Sequence, residues 1–308
     1  MPTAESVAMN SARRTADRRA LRDYALFAAF VTPNLLLLLL FVYRPLVQGV
    51  WLSFFSWDLI SPDWEWVGLE NYREYLADSA SHYILRNTLI FSVGTVIGSM
   101  SLGLGLALLL NLPLRGRQVV RTILFTPYVI SGAAIGVVWL FIFDPRLGLL
   151  AALLAKVGLP SPDWFNDPNW AMPMVIIAYV WKNLGYTVVV FLAGLQSIPG
   201  DLYEAARVDG AGAWSRLRHV TLPMLSPVTL FLLVTNTLSS VQAFDMIRVM
   251  TQGGPLEATK TMNYQLYEEG FVRFHVGTAS TIATLLFLLL LATTFLQLRT
   301  MERRVHYS

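Results

Sequence analysis

The residues of this chain that could do chemistry are few and scattered. There is no cysteine, which removes disulfides, thiolate metal ligands and cysteine nucleophiles together. The four histidines, His82, His219, His275 and His306, stand at no metal-ligand spacing. A G-x-S-x-G turn, an H-E-x-x-H helix and paired aspartates within an apolar stretch are all missing, so hydrolase or transferase chemistry has no visible nucleophile or base. No G-x-x-x-x-G-K-[ST] loop is present either, and the chain has no means of hydrolysing a nucleotide itself. Neither a catalytic residue, nor a metal ligand, nor a bound cofactor is expected. What remains is a set of polar residues in or beside apolar stretches: Lys182, Asn183 and Tyr186 in one, and Asn236, Gln242, Asp245 and Arg248 in and just after another. Ionisable groups inside a membrane span are costly, and by default they mark a solute pathway. Lys182 could meet a solute, snorkel to the interface, or hydrogen-bond carbonyls at a helix break. Asn183, Tyr186, Asn236 and Gln242 could bind solute or join helices. Asp245 and Arg248, one helical turn apart, suit an ion pair or a gate contact.

The elements that must position these residues follow from composition. Of the 308 residues, 55% are hydrophobic and 14% charged, against about 25% charged in soluble domains. A net charge of +3 gives no footprint for nucleic acid. A bilayer core about 30 Å thick needs roughly 20 apolar residues in a helix. Six stretches qualify, near Ala25–Tyr43, Asn87–Asn111, Thr122–Phe143, Met172–Leu195, Leu225–Phe244 and Gly277–Leu298. They must be helices, because lipid offers no partner for open backbone groups. The first is too long for a cleaved signal peptide, and Tyr43-Arg44-Pro45 follows it in place of a small-residue cleavage site.

Sidedness follows from the basic residues. With an inside N-terminus, the inside segments carry an arm (Arg13, Arg14, Arg18, Arg19, Arg22), a loop (Arg115, Arg117, Arg121), a second loop (Arg207, Arg216, Arg218) and a tail (Arg299, Arg303, Arg304). Both termini are therefore expected in the cytoplasm, with an arm at 1–24, a six-helix domain at 25–298 and a tail at 299–308. The outside loops Arg44–Tyr83, Asp144–Trp170 and Asp245–Val276 are long and rich in tryptophan, proline and acids. Trp51, Trp57, Trp64 and Trp66 suit the headgroup level of the bilayer or a docking protein. Gly94-x-x-x-Gly98 and Gly132-x-x-x-Gly136 would let helices approach closely.

The inside segment Ile198–Pro223 has its own local logic. Asp201 followed by Glu204 resembles a capping box, and Leu202–Val208 favours a short helix. Asp209-Gly210 is a turn, since glycine tolerates positive φ. Trp214–Val220 forms a second helix that Leu222-Pro223 should end. Read alone, this is an amphipathic linker along the membrane. The run E-A-A-x-x-D-G-A-x-x-W-x-x-L-x-x-V-x-L-P, however, resembles the signature of ABC-importer permeases. It matches at Glu204, Ala205, Ala206, Asp209, Gly210, Ala211, Trp214, Leu217, Val220, Leu222 and Pro223. Leu217 departs from the phenylalanine common there but keeps the position apolar. Pro127-Tyr128, Trp139, Asp144-Pro145, Trp181-Lys182, Gln196–Pro199 and Gly253-Gly254-Pro255 resemble marks of the carbohydrate-uptake branch. Within it, Trp139–Phe143, Gly253–Thr259, Tyr267–Phe271 and Gln297–Tyr307 look closest to first permease subunits of importers of sn-glycerol-3-phosphate and glycerophosphodiesters.

The resemblance implies an all-α, six-helix type I importer permease in a bacterial inner membrane, in contact with lipid. It also implies partners: a second homologous permease, an extracytoplasmic solute-binding protein, and two ATPase subunits that hold ATP and Mg at the cytoplasmic face. The segment from Glu204 to Pro223 would form coupling helices seated in an ATPase cleft. Ala205 and Ala206 would let the helix enter, and Gly210 would permit the bend. In a phosphate-ester importer, the Lys182 ammonium could meet the phosphate. Sugar permeases share many of these marks, so a di- or oligosaccharide is the alternative solute. A secondary transporter or channel would leave the Glu204–Pro223 segment without a purpose.

Overall fold

The computed structural model describes residues 24–61 and 63–301. The arginines of the N-terminal arm, the tail arginines Arg303 and Arg304, and His306 lie outside the described residues. Helix α1, Tyr24–Leu52, runs past its expected end at Tyr43, straight through Pro45. A π-turn at Leu39–Tyr43, closed by the Arg44 N–H on the Leu39 carbonyl, accommodates the missing donor of that proline. No residue of its most apolar window is buried, so this helix meets lipid or another chain on all sides. A short hairpin follows, β1 (Phe55–Ser56) against β2 (Glu65–Trp66), with Phe55 opposite Trp66. Next come α2 (Glu70–Ala77) and α3 (Ser79–Asn111), the latter capped by Asp78, whose carboxylate accepts the N–H groups of Ala80 and Ser81.

The expected span Thr122–Phe143 is not one straight helix. It divides into α4 (Arg117–Val129) and α5 (Gly132–Ile142), which meet at 106°. Pro127 removes a helical donor near the break, Ile130 turns extended, and the Ser131 hydroxyl caps the new helix by accepting from the Ala134 N–H. Beyond α6 (Leu149–Lys156), α7 (Pro168–Gln196) starts with proline at its first position and Asp167 as cap. The short helices α8 (Gly200–Val208) and α9 (Ala213–Arg216) precede α10 (Ser226–Val241). A break at Gln242–Phe244 separates α10 from α11 (Asp245–Met250), and α12 (Met262–Tyr267) and α13 (Val276–Met301) complete the chain. Among the described residues, five helical stretches are long and apolar enough to cross a membrane (α1, α3, α7, α10 together with α11, and α13), and α4–α5 makes a sixth if its halves count as one span. The architecture is an all-α membrane domain.

Close approach of α3 and α7 forms the spine. A Cβ on Gly94 would stand 2.9 Å from Ile176, and one on Gly98 3.0 Å from Val180. Gly136 faces Val249 and Met250 in the same way. A further glycine outside any expected motif, Gly185, admits the α4 backbone, where a Cβ would overlap the Leu124 carbonyl. Around this spine, Phe91, Val175, Tyr179, Met246 and Ile247 share the outer core, and Val188, Phe191, Leu225 and Leu232 the inner one.

Candidate functional site

The segment expected to couple to an ATPase, called the coupling segment below, is built from two short helices and a glycine turn, with corrections at both ends. Pro199 is the cap residue of α8, so Asp201 already lies in the first helical turn and makes no side-chain cap bond. The expected capping box does not form. Asp201 instead places negative charge at the positive end of the helix. Gly210 adopts φ +76°, and the α8 end closes through Gly210 N–H to Arg207 O (3.0 Å) and Ala211 N–H to Ala206 O (2.8 Å). Downstream, Pro223 does not end the second helix. A π-turn at Leu217–Thr221, closed by the Leu222 N–H on the Leu217 carbonyl, carries the chain through Leu222–Met224 and on into α10. Pro45 and Pro223 are thus both accommodated by a π-turn that ends two residues ahead.

The Tyr203 hydroxyl meets Thr221 Oγ1 at 3.1 Å and joins the two halves of the segment. Ala206, Ala211, Leu217 and Pro223 are half-buried, whereas Glu204, Ala205, Asp209, Gly210 and Trp214 are exposed. Trp214 is 72% exposed and Val208 87%.

The candidate pathway residues divide by what they touch. The Lys182 ammonium lies 5.5 Å from the centre of the Tyr128 ring, a cation–π contact, and Tyr128 stacks on Tyr186 with centroids 4.9 Å apart. Asn183 is buried and donates to the Tyr179 carbonyl of its own helix at 2.9 Å. Asn236 is buried, with no partner for its Nδ2 among the described residues. Gln242 is exposed at the α10–α11 break, where its backbone carbonyl accepts from Asn263 at 2.8 Å.

The expected Asp245–Arg248 ion pair does not form. Asp245 packs against Gly132 at the start of α5 and accepts the Met246 N–H at 3.0 Å. Arg248 instead donates to the Tyr264 hydroxyl at 3.0 Å and lies 5.3 Å from the Tyr267 ring centre. Sequence reasoning passed over Tyr128, Tyr179, Tyr264 and Tyr267 as site residues. A tyrosine within an apolar span is a usable signal, because its buried hydroxyl needs a partner; Tyr179 finds the Ser239 carbonyl at 2.7 Å.

Within the loop Asp245–Val276, the bases other than Arg248 are paired with acids. Buried Lys260 meets Glu257 at 2.9 Å and also Glu268. Arg273 and His275 both meet buried Glu269, at 2.7 and 2.9 Å. Burial opposes the Lys260 charge, but its hydrogen bonds to Glu268 and Glu257 outweigh that and hold its pKa above the usual value. Burial pushes the Tyr75 hydroxyl up to about 12, and its proton is donated to Gln265 at 2.9 Å.

A model of the family described as the inner membrane component of binding-protein-dependent transport systems matches residues 99–307. The chain belongs to that family. It is accordingly a multi-pass inner-membrane permease component of the ABC-importer type, and its relatives are permease subunits rather than catalysts. One is the sn-glycerol-3-phosphate transport system permease protein UgpA of Agrobacterium fabrum, 37% identical over 279 residues, covering 90% of this chain and 95% of that protein. The protein of the same name from Yersinia pestis is 38% identical over 279 residues, covering 90% and 94%. A probable ABC transporter permease protein of Pyrococcus horikoshii is 36% identical over 271 residues, covering 87% and 93%. The permease fold matches a solved bacterial ABC transporter involved in import of the acidic polysaccharide alginate, with TM-score 0.81 at 24% identity over 94% of this chain and 99% of that one. A second solved structure holds the alginate transporter with its pentasaccharide-bound periplasmic protein, with TM-score 0.80 at 23% identity over 93% and 96%.

Proposed function

We propose that this chain is one of two homologous permease subunits of an ATP-driven importer of sn-glycerol-3-phosphate or glycerophosphodiesters. An extracytoplasmic binding protein delivers the solute, and two ATPase subunits that bind ATP and Mg dock beneath. The observation that carries the reading is the exposed segment from Glu204 to Trp214. A glycine turn presents Glu204, Ala205, Asp209 and a largely bare Trp214 at the end of a membrane domain that has no nucleotide loop of its own. A tryptophan displayed in this way is an anchor for a partner pocket. Because α9 runs through the π-turn into α10, a push on Trp214 is transmitted to a span rather than absorbed by a loop. ATP must favour one global arrangement over the other by a differential free energy for that push to move solute.

The phosphate-ester assignment is supported by the names of the relatives and by Lys182, an ammonium resting on Tyr128 beside Tyr186. The same stacked tyrosines also suit a sugar ring, which keeps a di- or oligosaccharide as the second reading. Co-expression with the partner permease, ATPases and binding protein, followed by uptake into proteoliposomes, tests both. ATP-dependent uptake of sn-glycerol-3-phosphate that falls at least about tenfold in Lys182→Met, with the complex still assembled, is the expected result; a tenfold change is about 1.4 kcal/mol. Uptake that persists without any ATPase subunit would overturn the primary-transport reading.

A further inference from the structure

Arg248 differs from the other bases of the loop Asp245–Val276 in how it is held. Lys260, Arg273 and His275 each meet at least one carboxylate. Among the described residues, none lies within ion-pair distance of Arg248, and the acid whose charge acts on it, Glu268, is engaged by Lys260 and Arg273. The acid nearest in sequence, Asp245, is packed against Gly132, where any larger residue would overlap it, and so it does not reach the guanidinium. Arg248 is oriented by aromatic rings instead. Tyr264 takes one N–H at 3.0 Å, and Tyr267 lies under the guanidinium at 5.3 Å. Tyr267 in turn packs on Phe244, with centroids 4.8 Å apart, and on Phe271, at 5.7 Å. An aromatic shelf fixes a guanidinium without neutralising it and leaves the rest of its planar fork open. Arg248 is exposed, so that fork is accessible. Lys182 is held in the same manner on Tyr128, also without a carboxylate among the described residues.

We propose that Arg248 is a specificity-determining residue at the outer part of the path, which takes the oxyanion of an incoming solute in bidentate fashion before that group reaches Lys182. The assignment rests on the import function proposed above. A guanidinium fork matches the spacing of phosphate or carboxylate oxygens, and charge-assisted hydrogen bonds are roughly twice as strong as those to neutral hydroxyls. An oxyanion therefore gains at this station what a neutral sugar does not.

The test uses the whole complex in proteoliposomes and compares uptake of sn-glycerol-3-phosphate with that of a neutral disaccharide. Arg248→Gln should raise the KM for the phosphate ester at least about tenfold. Arg248→Lys, which keeps the charge and loses the fork, should fall between it and the wild type. Inorganic sulfate should compete with uptake in the wild type and lose that effect in Arg248→Gln. An unchanged KM in an assembled Arg248→Gln complex would overturn the proposal, as would equal loss of phosphate-ester and disaccharide uptake. A wild-type complex that imports only the disaccharide would also overturn it, while leaving the ATP-driven permease reading intact. Absence of any ATP-driven uptake would instead sink the import function. Arg248 is then decided by phenylglyoxal modification of the purified complex: protection by sn-glycerol-3-phosphate supports the contact, and equal modification with and without it refutes the contact.

Discussion

The coupling segment after α7 and the outer loop between α11 and α13 satisfy their residues in opposite ways. The outer loop binds its own chain over long sequence distances. The Glu257 carbonyl accepts from Asn87, the Met262 N–H donates to Thr88, and Gln265 accepts from Tyr75, each at 2.9 Å. Its charges are consumed within itself, in the contacts of Lys260 and Glu269. The coupling segment is held by local helix closure, the Tyr203–Thr221 contact and the burial of a few small or apolar side chains. It carries the densest sequence signature in the chain, yet Trp214 and Val208 remain bare. A specified surface that its own chain leaves uncovered is what the proposed docking of an ATPase subunit requires.

The comparison can be broken most sharply at the turn. Gly210→Pro cannot adopt φ +76°, since proline is held near −65°. Together with Glu204→Arg, it should reduce ATP-dependent uptake more than about tenfold while the spans still insert. Wild-type uptake by both variants would remove the coupling role.

In the outer loop the effect should be on stability. Lys260→Met removes the base shared by Glu257 and Glu268, leaving Glu268 only the longer contact to Arg273, and should cost about 2 kcal/mol, read as a lowered melting temperature in detergent, with ATPase association retained. The raised Lys260 pKa sets the pH window: its contribution is complete below the ordinary lysine value and fades as pH rises through the higher folded value. An alkaline melting series on wild type and Lys260→Met should therefore converge at high pH.

A smaller loss, about 1 kcal/mol, is expected for Asp78→Ala, which uncaps α3. The backbone N–H of Ala80 and the Ser81 contacts hold the Asp78 carboxyl below its usual range. Its stabilisation is thus present above that range and lost as pH falls through the folded value. Acid melting curves of wild type and variant should draw together. The smallest effect belongs to Tyr203→Phe, at most about 1 kcal/mol. Hydrogen exchange confined to the coupling segment would register it, whereas faster exchange across α10 would show that the segment is less local than described.

Spans, turn and motif were legible because each depends on short sequence windows. Apolar length marks a membrane helix, Gly210 marks positive φ, and the spacing from Glu204 to Pro223 marks the segment. What failed were readings of prolines and charges in isolation. Pro223 was expected to end a helix and the first span to stop near Tyr43, but a wider π-turn ahead of Pro45 and of Pro223 lets the chain continue. Asp201 looked like a cap, but Pro199 starts the helix first. Asp245 and Arg248 looked paired at one-turn spacing, but α5 and α12 offer each a better neighbour.

By itself, the sequence determined that this is a multi-spanning helical membrane protein with a recognisable signature segment between two of its spans. These are properties of composition, period and local turn chemistry. Only the tertiary structure decided that one span bends by 106° and that Gly185 admits a neighbouring backbone. It alone showed that Leu256 and Glu257 hold positive φ in a loop anchored by Asn87, and that Lys182 and Arg248 rest on tyrosine rings. The physical reason is range. A cation's partner and a glycine's neighbour come from residues far away in the chain, and neither spacing nor propensity encodes which distant side chain arrives.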